Sequence, residues 1–442
     1  MRFSARELAE ALNAQSPARL IGPDFVVDGV SFDSRAVVPG QLFVPIVAER
    51  DGHDFVADAV ARGAAAYLTS RGPIAGVEAT CIEVADTAAA LIDAARWART
   101  RFPAGTMAVG ITGSVGKTST KDFVAASLAG ERRVTASQKS FNNEQGLPVT
   151  ILNAPIDTEV LVLEMGMRGF GQIDDLCRIG RPAIGVVTRV GEAHTSLVGG
   201  IEGVARAKGE LVEALPSFGV AVLNADDHRV IAMRSRTSAG VLSYGENEAA
   251  DVRISRLRLD DLGRPSFHID TPNGGIELSL PVAGRHMASN AAAAIAVGVA
   301  LGVSIESMAA GLATARIADH RMAEVTTPRG ATILDDCYNA NPTSMEAALQ
   351  TLATMRASRK TAVVGLMAEL DDPSRSHAAI AEVARSLGVR LVAVGTDLYG
   401  VEPITIDEAC TFVAEMNADD AVLVKGSRVA GLERIVEAIS PR

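Results

Sequence analysis

The sequence predicts an α/β protein of three domains, and three observations carry that expectation. Apolar runs that read as strands alternate with helical runs along most of the chain, the pattern of parallel sheets covered by helices. One of these units, Gly105 to Ala129 (GTMAVGITGSVGKTSTKDFVAASLA), joins a strand to a helix through a glycine-rich bend. A stretch from Asp251 to Val282 breaks the alternation with short runs separated by Gly, Pro and Asn, which predicts an antiparallel part beside a mostly parallel sheet. A chain of 442 residues has room for about three ordinary cores. The expected domains are 1–103, 104–317 and 318–442.

The first domain opens on an amphipathic helical stretch, MRFSARELAEALNAQ, and closes on a helix over Ala88 to Arg101. Between them lie the polar cluster Asp33-Ser34-Arg35, a Pro-Gly turn, a strand over Leu42 to Val47, and an Asp51-Gly52-His53 turn that opens a helix. The polar cluster reads either as a plain turn or as a binding loop, because loops serve both solvation and function.

The glycine bend that follows is a phosphate cradle in prospect. Met107 to Ile111 is a buried strand and Lys117 to Ala129 a helix; Gly110, Gly113 and Gly116 allow the tight turn that points N–H groups at an anion. Lys117 adds a full positive charge, and Thr118 is placed for Mg²⁺. The spacing departs from the strict phosphate-loop pattern, since Ile111 stands where a glycine would and Gly110 comes one residue earlier. Further on, Asn142, Asn143 and Glu144 fall on a loop, and the apolar strand Glu159 to Met165 carries Glu164 near its end. An acid there would be costly to bury without a partner, and a divalent cation is one such partner.

The next unit, AIGVVTRVGEAHT, leads into a helix over Ile201 to Leu215 and contributes His194 and Lys208. From spacing alone, the His reads as structural and the Lys as solvated. A strand over Val220 to Asn224, the antiparallel part, and helices over Met287 to Leu301 and Ile305 to Ala315 complete the domain. In the third domain, strands at Ala331 to Leu334, Thr361 to Gly365, Arg390 to Val394 and Ala421 to Lys425 alternate with helices such as Ser376 to Leu387. Ligands are expected at the carboxyl ends of such strands, where Asp335, Asp336, Tyr338, Asn339 and Asn341 sit.

Composition excludes several classes. A net charge of -11 with no basic block disfavours nucleic-acid binding. No apolar segment reaches the roughly 18 residues of a membrane span, and the first residues lack a signal peptide's apolar core. Cys81, Cys177, Cys337 and Cys410 are scattered without metal-type spacing, so they read as reduced thiols and no structural zinc is expected.

Taken together, GITGSVGKTST, LEMG, VGEAH, ARAKGE, GRHMASNAAAA, HRM and DDCYNANP resemble, in that order, the motif series of the Mur ligase family, the ATP-dependent enzymes that build the peptide stem of bacterial cell-wall precursors. The resemblance covers nearly the whole chain. It implies an N-terminal domain for a UDP-sugar, a central ATPase and a C-terminal Rossmann-like domain for the incoming amine. Within the family, SFNNEQGLP, DDCYNANP and VKGSR are most similar to the branch that joins D-Ala-D-Ala to UDP-N-acetylmuramoyl-tripeptide.

Carried over by motif, Gly113, Gly116, Lys117, Thr118 and Ser119 form the phosphate loop, and Thr118, Glu164, His194 and Lys208 hold two Mg²⁺ ions. Lys208 matches a lysine that is carbamylated in many members. Asn290, Arg321 and Asp336 match nucleotide contacts, Arg321 at the γ-phosphate and Asp336 at the ribose. Catalysis is expected of Lys117, Lys208, His194 and Arg321, and substrate contacts of Ser34, Arg35, Asn142, Asn143, Asn339 and Asn341. A monomer in the cytoplasm is expected. Two other readings are a relative that adds a single amino acid, including the folylpolyglutamate type, and a P-loop kinase or switch. The first domain ahead of the phosphate loop weighs against the folate type; Glu164, His194 and Lys208 weigh against the switch.

Overall fold

Strand and helix alternate along the computed structural model, which describes residues 1–138, 140–192 and 195–439. The chain divides into two units. The first comprises Met1–Gly110, Arg132–Gly166 and Gln172–Ala183; the second comprises Ile111–Glu131, Met167–Gly171 and the chain from Ile184 onward.

In the first unit a five-stranded sheet has the order Ala18–Ile21, Thr80–Val84, Ala66–Thr69, Leu42–Phe43, Val30–Ser31. All neighbours are parallel except the first pair. The opening helix, Ala5–Asn13, is held by a capping box between Ser4 and Glu7, and Asp86 caps the helix Thr87–Arg101 through the N–H groups of Ala88 and Ala89. Both devices satisfy N–H groups that a helix start leaves unpaired. The Asp51-Gly52-His53 turn becomes a short 3-10 turn, Gly52–Phe55. Its Asp51 carboxylate accepts from the His53 backbone and from Nδ1 at 2.6 Å, and it pairs with Arg71. Those bonds from His53 hold the Asp51 carboxyl below the usual carboxylate range. The unit also contains the parallel pair Val134–Ala136 and Val160–Glu164, the latter buried throughout.

In the second unit six strands run in the order Gly274–Ser279, Pro265–Thr271, Val252–Leu259, Gly240–Gly245, Val220–Asn224, Ile184–Val187. The last four are parallel and the first three pair antiparallel, which is the expected break at Asp251 to Val282. The helix Arg285–Ala300 is buried along Ala291 to Val297, where a run of alanines keeps its surface low enough for close backbone approach. A second sheet has the order Ala323–Thr326, Thr332–Asp335, Asp420–Lys425, Arg359–Val364, Arg390–Ala393, parallel but for the first, edge pair. Its order sets the carboxyl ends of Thr332–Asp335, Asp420–Lys425 and Arg359–Val364 side by side.

One expected element is interrupted. The helix predicted over Ile201 to Leu215 occurs as Ile201–Lys208 and Glu210–Glu213, broken at Gly209. The Arg236 guanidinium lies at this point: it donates to the Ala205 and Arg206 carbonyls at 3.4 and 2.9 Å and fills the space beside Gly209, where a Cβ would lie 1.8 Å from its Nη1. Cys81, Cys177 and Cys337 are buried and Cys410 is half-buried, all as free thiols.

Candidate active site

The strand Met107–Thr112, the bend Gly113 to Gly116 and the helix Lys117–Leu128 form the predicted phosphate loop. Gly116 caps the helix at φ 83°, a left-handed conformation that favours glycine. Neither Gly113 nor Gly116 has room for a side chain. A Cβ on Gly113 would lie 1.8 Å from Thr188 Oγ1, and one on Gly116 would lie 2.7 Å from Asn290 Oδ1. The loop is braced from the end of Ile184–Val187. Thr188 Oγ1 sits 2.6 Å from the Val115 carbonyl oxygen, the Ser114 N–H donates to Arg189 O at 2.7 Å, and Ser114 Oγ exchanges hydrogen bonds with the Gly191 backbone at 3.0 and 2.9 Å. Sequence reading missed Thr188, Ser114 and Gly191 because their roles exist only when two distant loops meet.

Lys117 folds back and donates to Gly113 O at 2.8 Å, and Thr118 and Ser119 are buried at the helix start. Lys208, on the interrupted helix, is 2 % exposed. Burial first, and the charge of Lys117 second, push its ammonium well below the usual lysine range. The helix N-terminus, the close-packed glycines, Lys117 and the Thr118 hydroxyl therefore make a donor set that fits a polyphosphate with Mg²⁺. In the first unit Glu164 ends its strand buried, and Asn142 Nδ2 donates to its Oε1 at 2.8 Å. Asn143 Oδ1 accepts from the Gly146 N–H at 2.9 Å, in the turn ahead of the helix Gly146–Asn153. His194 lies outside the described residues.

Arg321 is reached through a segment held from several sides. Asp122, on the phosphate-loop helix, accepts from the Ala318 N–H at 2.9 Å and pairs with Lys121 at 3.0 Å. His320 Nδ1 meets Asp335 Oδ2 at 2.8 Å, and the Tyr338 N–H donates to His320 O at 3.2 Å. His320 and Met322 both take left-handed backbone angles, φ 61° and 54°, so Arg321 sits between two strained residues. Its Cζ lies 4.3 Å from the centroid of the Tyr338 ring, and its Nε is enclosed without a hydrogen-bond partner among the described residues. An enclosed, unsatisfied guanidinium nitrogen suits an incoming oxyanion. Neighbouring Cys337 is no thiolate, since burial and then its hydrogen bond to Asp335 push its thiol up.

The remaining predicted contacts lie at the strand ends. Asp336 forms an enclosed ion pair with Lys425 at 2.5 Å, and Lys425 also donates to Asn339 O at 2.9 Å. Asn339 is exposed, whereas Asn341 caps the helix Pro342–Thr354 by accepting from the Ser344 N–H at 2.9 Å. Gly191 and Thr343 approach closely, a Cβ on the glycine falling 2.7 Å from Thr343 Oγ1, so the segment after Asn341 reaches the loop that braces Ser114. In the first unit Ser34 occupies the turn that Asp33 and Arg35 close by two hydrogen bonds of 2.9 Å.

Known proteins share this arrangement. Residues 111–298 match the Mur ligase middle domain and residues 320–428 the Mur ligase, glutamate ligase domain. The UDP-N-acetylmuramoyl-tripeptide--D-alanyl-D-alanine ligase of Mycobacterium tuberculosis is 40% identical, the match covering 94% of this chain and 92% of that one; the enzyme of that name from Escherichia coli is 34% identical over 98% and 97%. The crystal structure of MurF from Acinetobacter baumannii superposes with a TM-score of 0.86 at 30% identity, covering 98% of both chains, and MurF from Thermotoga maritima in complex with ADP with 0.79 at 27%, covering 93% and 97%. With its motifs in order on the same fold and its phosphate loop built as described, the chain belongs to the Mur ligase family.

Proposed function

We propose that this chain is an ATP-dependent ligase that joins D-Ala-D-Ala to UDP-N-acetylmuramoyl-tripeptide through an acyl phosphate. The observation that carries the chemistry is the phosphate loop whose two glycines leave no room for a side chain, with Lys117 at its helix start. The substrate pair rests on the relatives named for that reaction, which match over almost the full length of both chains.

The residues divide the work. Gly113, Gly116, Lys117 and Ser119 bind the phosphates, Asn290 and Asp336 orient the nucleotide, and Arg321 gathers charge as the γ-phosphoryl group moves to the tripeptide carboxylate. The amine of the dipeptide then attacks the acyl phosphate, phosphate leaves, and an amide bond remains. No protein nucleophile is required. Thr118, Glu164, His194 and Lys208 are the proposed ligands of two Mg²⁺ ions, which when bound supply positive charge to the transferring oxygens. A neutral Lys208 amine is able to take up CO₂, releasing a proton and leaving a carbamate whose two oxygens suit a hard cation.

Domains 1–103, 104–317 and 318–442 are proposed to hold the UDP-sugar, the ATP and the dipeptide; Ser34, Arg35, Asn142 and Asn143 serve the first substrate, and Asn339 and Asn341 the last. No described helix is long and apolar enough to cross a membrane. A cytoplasmic monomer is the proposed form. The test is phosphate release from ATP with each substrate alone and with both together. Release that requires both is expected; turnover with a single amino acid in place of the dipeptide would overturn the substrate assignment.

A further inference from the structure

Ser427 binds together the three loops at the carboxyl ends of Thr332–Asp335, Arg359–Val364 and Asp420–Lys425. Its N–H donates to Leu366 O at 2.9 Å, its hydroxyl donates to Ala340 O at 3.2 Å, and the same oxygen accepts from the Ala368 N–H at 2.8 Å. The next residue, Arg428, leaves this rigid junction with its side chain 63% exposed. Its Cζ lies 6.0 Å from the centroid of the Tyr338 ring, the ring that Arg321 approaches at 4.3 Å. Two cations thus share one aromatic ring. The acids nearby offset them poorly: Asp336 is taken by Lys425, Asp335 by His320, and the one carboxylate in ion-pair reach of Arg428 among the described residues is Glu433, at 3.7 Å and beyond hydrogen-bond distance.

We infer that Arg428 binds the free carboxylate of the incoming amine substrate, and this rests on the ligase reading above. Arg321 serves the phosphoryl end of the reaction, so the attacking amine must point toward it and the far end of the dipeptide away from it. A dipeptide spans roughly 7 Å at about 3.3–3.6 Å per residue, and distances of 4.3 and 6.0 Å to one ring centroid keep the two guanidiniums within about 10 Å of each other. A planar guanidinium on a fixed base is suited to a carboxylate through two parallel N–H···O bonds, which a lysine cannot reproduce.

The experiment measures phosphate release with D-Ala-D-Ala and with its C-terminal amide, for the wild type, Arg428→Lys and Arg428→Met. The wild type should prefer the free acid. Arg428→Met should raise the KM for the acid by roughly 10- to 100-fold, the range expected for hydrogen bonds to a charged group, and leave the KM for the amide and for ATP unchanged; Arg428→Lys should fall between. Equal losses for acid and amide, or a rise confined to the KM for ATP as a phosphate contact would give, overturn the assignment while the ligase reading stands. A wild type that does not use D-Ala-D-Ala at all overturns both.

Discussion

The side-chain oxygen of Asn290 lies 2.7 Å from the place where Gly116 would carry a Cβ. Gly116→Ala must therefore displace Asn290 while also holding a left-handed angle that costs alanine about 1 kcal/mol or more. Nucleotide affinity should fall at least about tenfold by calorimetry, with only a modest drop in the thermal midpoint. Adding Asn290→Ala should not restore binding, because the backbone strain remains.

Lys117→Ala should keep the fold, since the lysine's bond to Gly113 O lies within a loop rather than in the core. The turnover number should fall by about 10²–10³, the usual scale for removing a charge-stabilising group. Unchanged turnover with an unchanged thermal midpoint would remove this loop from the mechanism.

Lys208 tests the carbamate. Lys208→Ala should be nearly inactive, and millimolar acetate or another short carboxylate should restore part of the rate by supplying the missing anion. A Lys208→Ala enzyme with near-normal turnover would reduce this buried amine to a packing element.

The Lys425–Asp336 pair is enclosed, and Lys425 is 1% exposed. Breaking it by Lys425→Met should destabilise the chain by about 3–5 kcal/mol, because Asp336 is left without its cation. The double variant Lys425→Met/Asp336→Asn should lose less than the two single changes added together. Urea unfolding measures both; strict additivity would show that the pair does not interact.

His377 links stability to pH. Its Nε2 accepts from the Met367 N–H at 2.9 Å and its Nδ1 donates to Pro373 O at 2.6 Å, so the ring is held neutral, and burial lowers its pKa below the ordinary 6.5. The unfolded chain then binds more protons as pH falls below about 6.5. Its contribution is complete above that value and is lost as pH falls through the lower folded value, by at most about 1.4 kcal/mol per pH unit. His286, also lowered by burial, acts in the same sense. His377→Asn should be less stable at pH 7.5 yet show a shallower decline between pH 6.5 and 5 than the wild type, a window above the carboxylate titrations.

The phosphate loop was legible because glycine, lysine and threonine there answer to local backbone needs. The strand that ends at Glu164 was legible because an apolar run closing on an acid is a local pattern too, and Val220–Asn224 appears with the expected bounds. The burial of Lys208 was not legible. A lysine on a helix looks solvated until the tertiary fold covers it, and Arg236, whose guanidinium lies at the break beside it, is far along the sequence. Helix Ile406–Ala414, which depends on a Thr405–Glu408 capping box, went unnoticed between clearer strands. Arg428 was legible only as the last residue of VKGSR; its place at the Tyr338 ring was not, since only the fold brings the two together.

The four thiols have a practical consequence. Three are buried, and burial raises the pKa of Cys81, Cys337 and the half-buried Cys410, so at neutral pH the native chain offers little thiolate to an alkylating reagent. A cysteine placed at Val429, which is 75% exposed beside Arg428, would stand out against that quiet background. A fluorophore attached there would allow the strand-end junction to be followed in real time as substrates arrive, without first stripping the protein of its own cysteines.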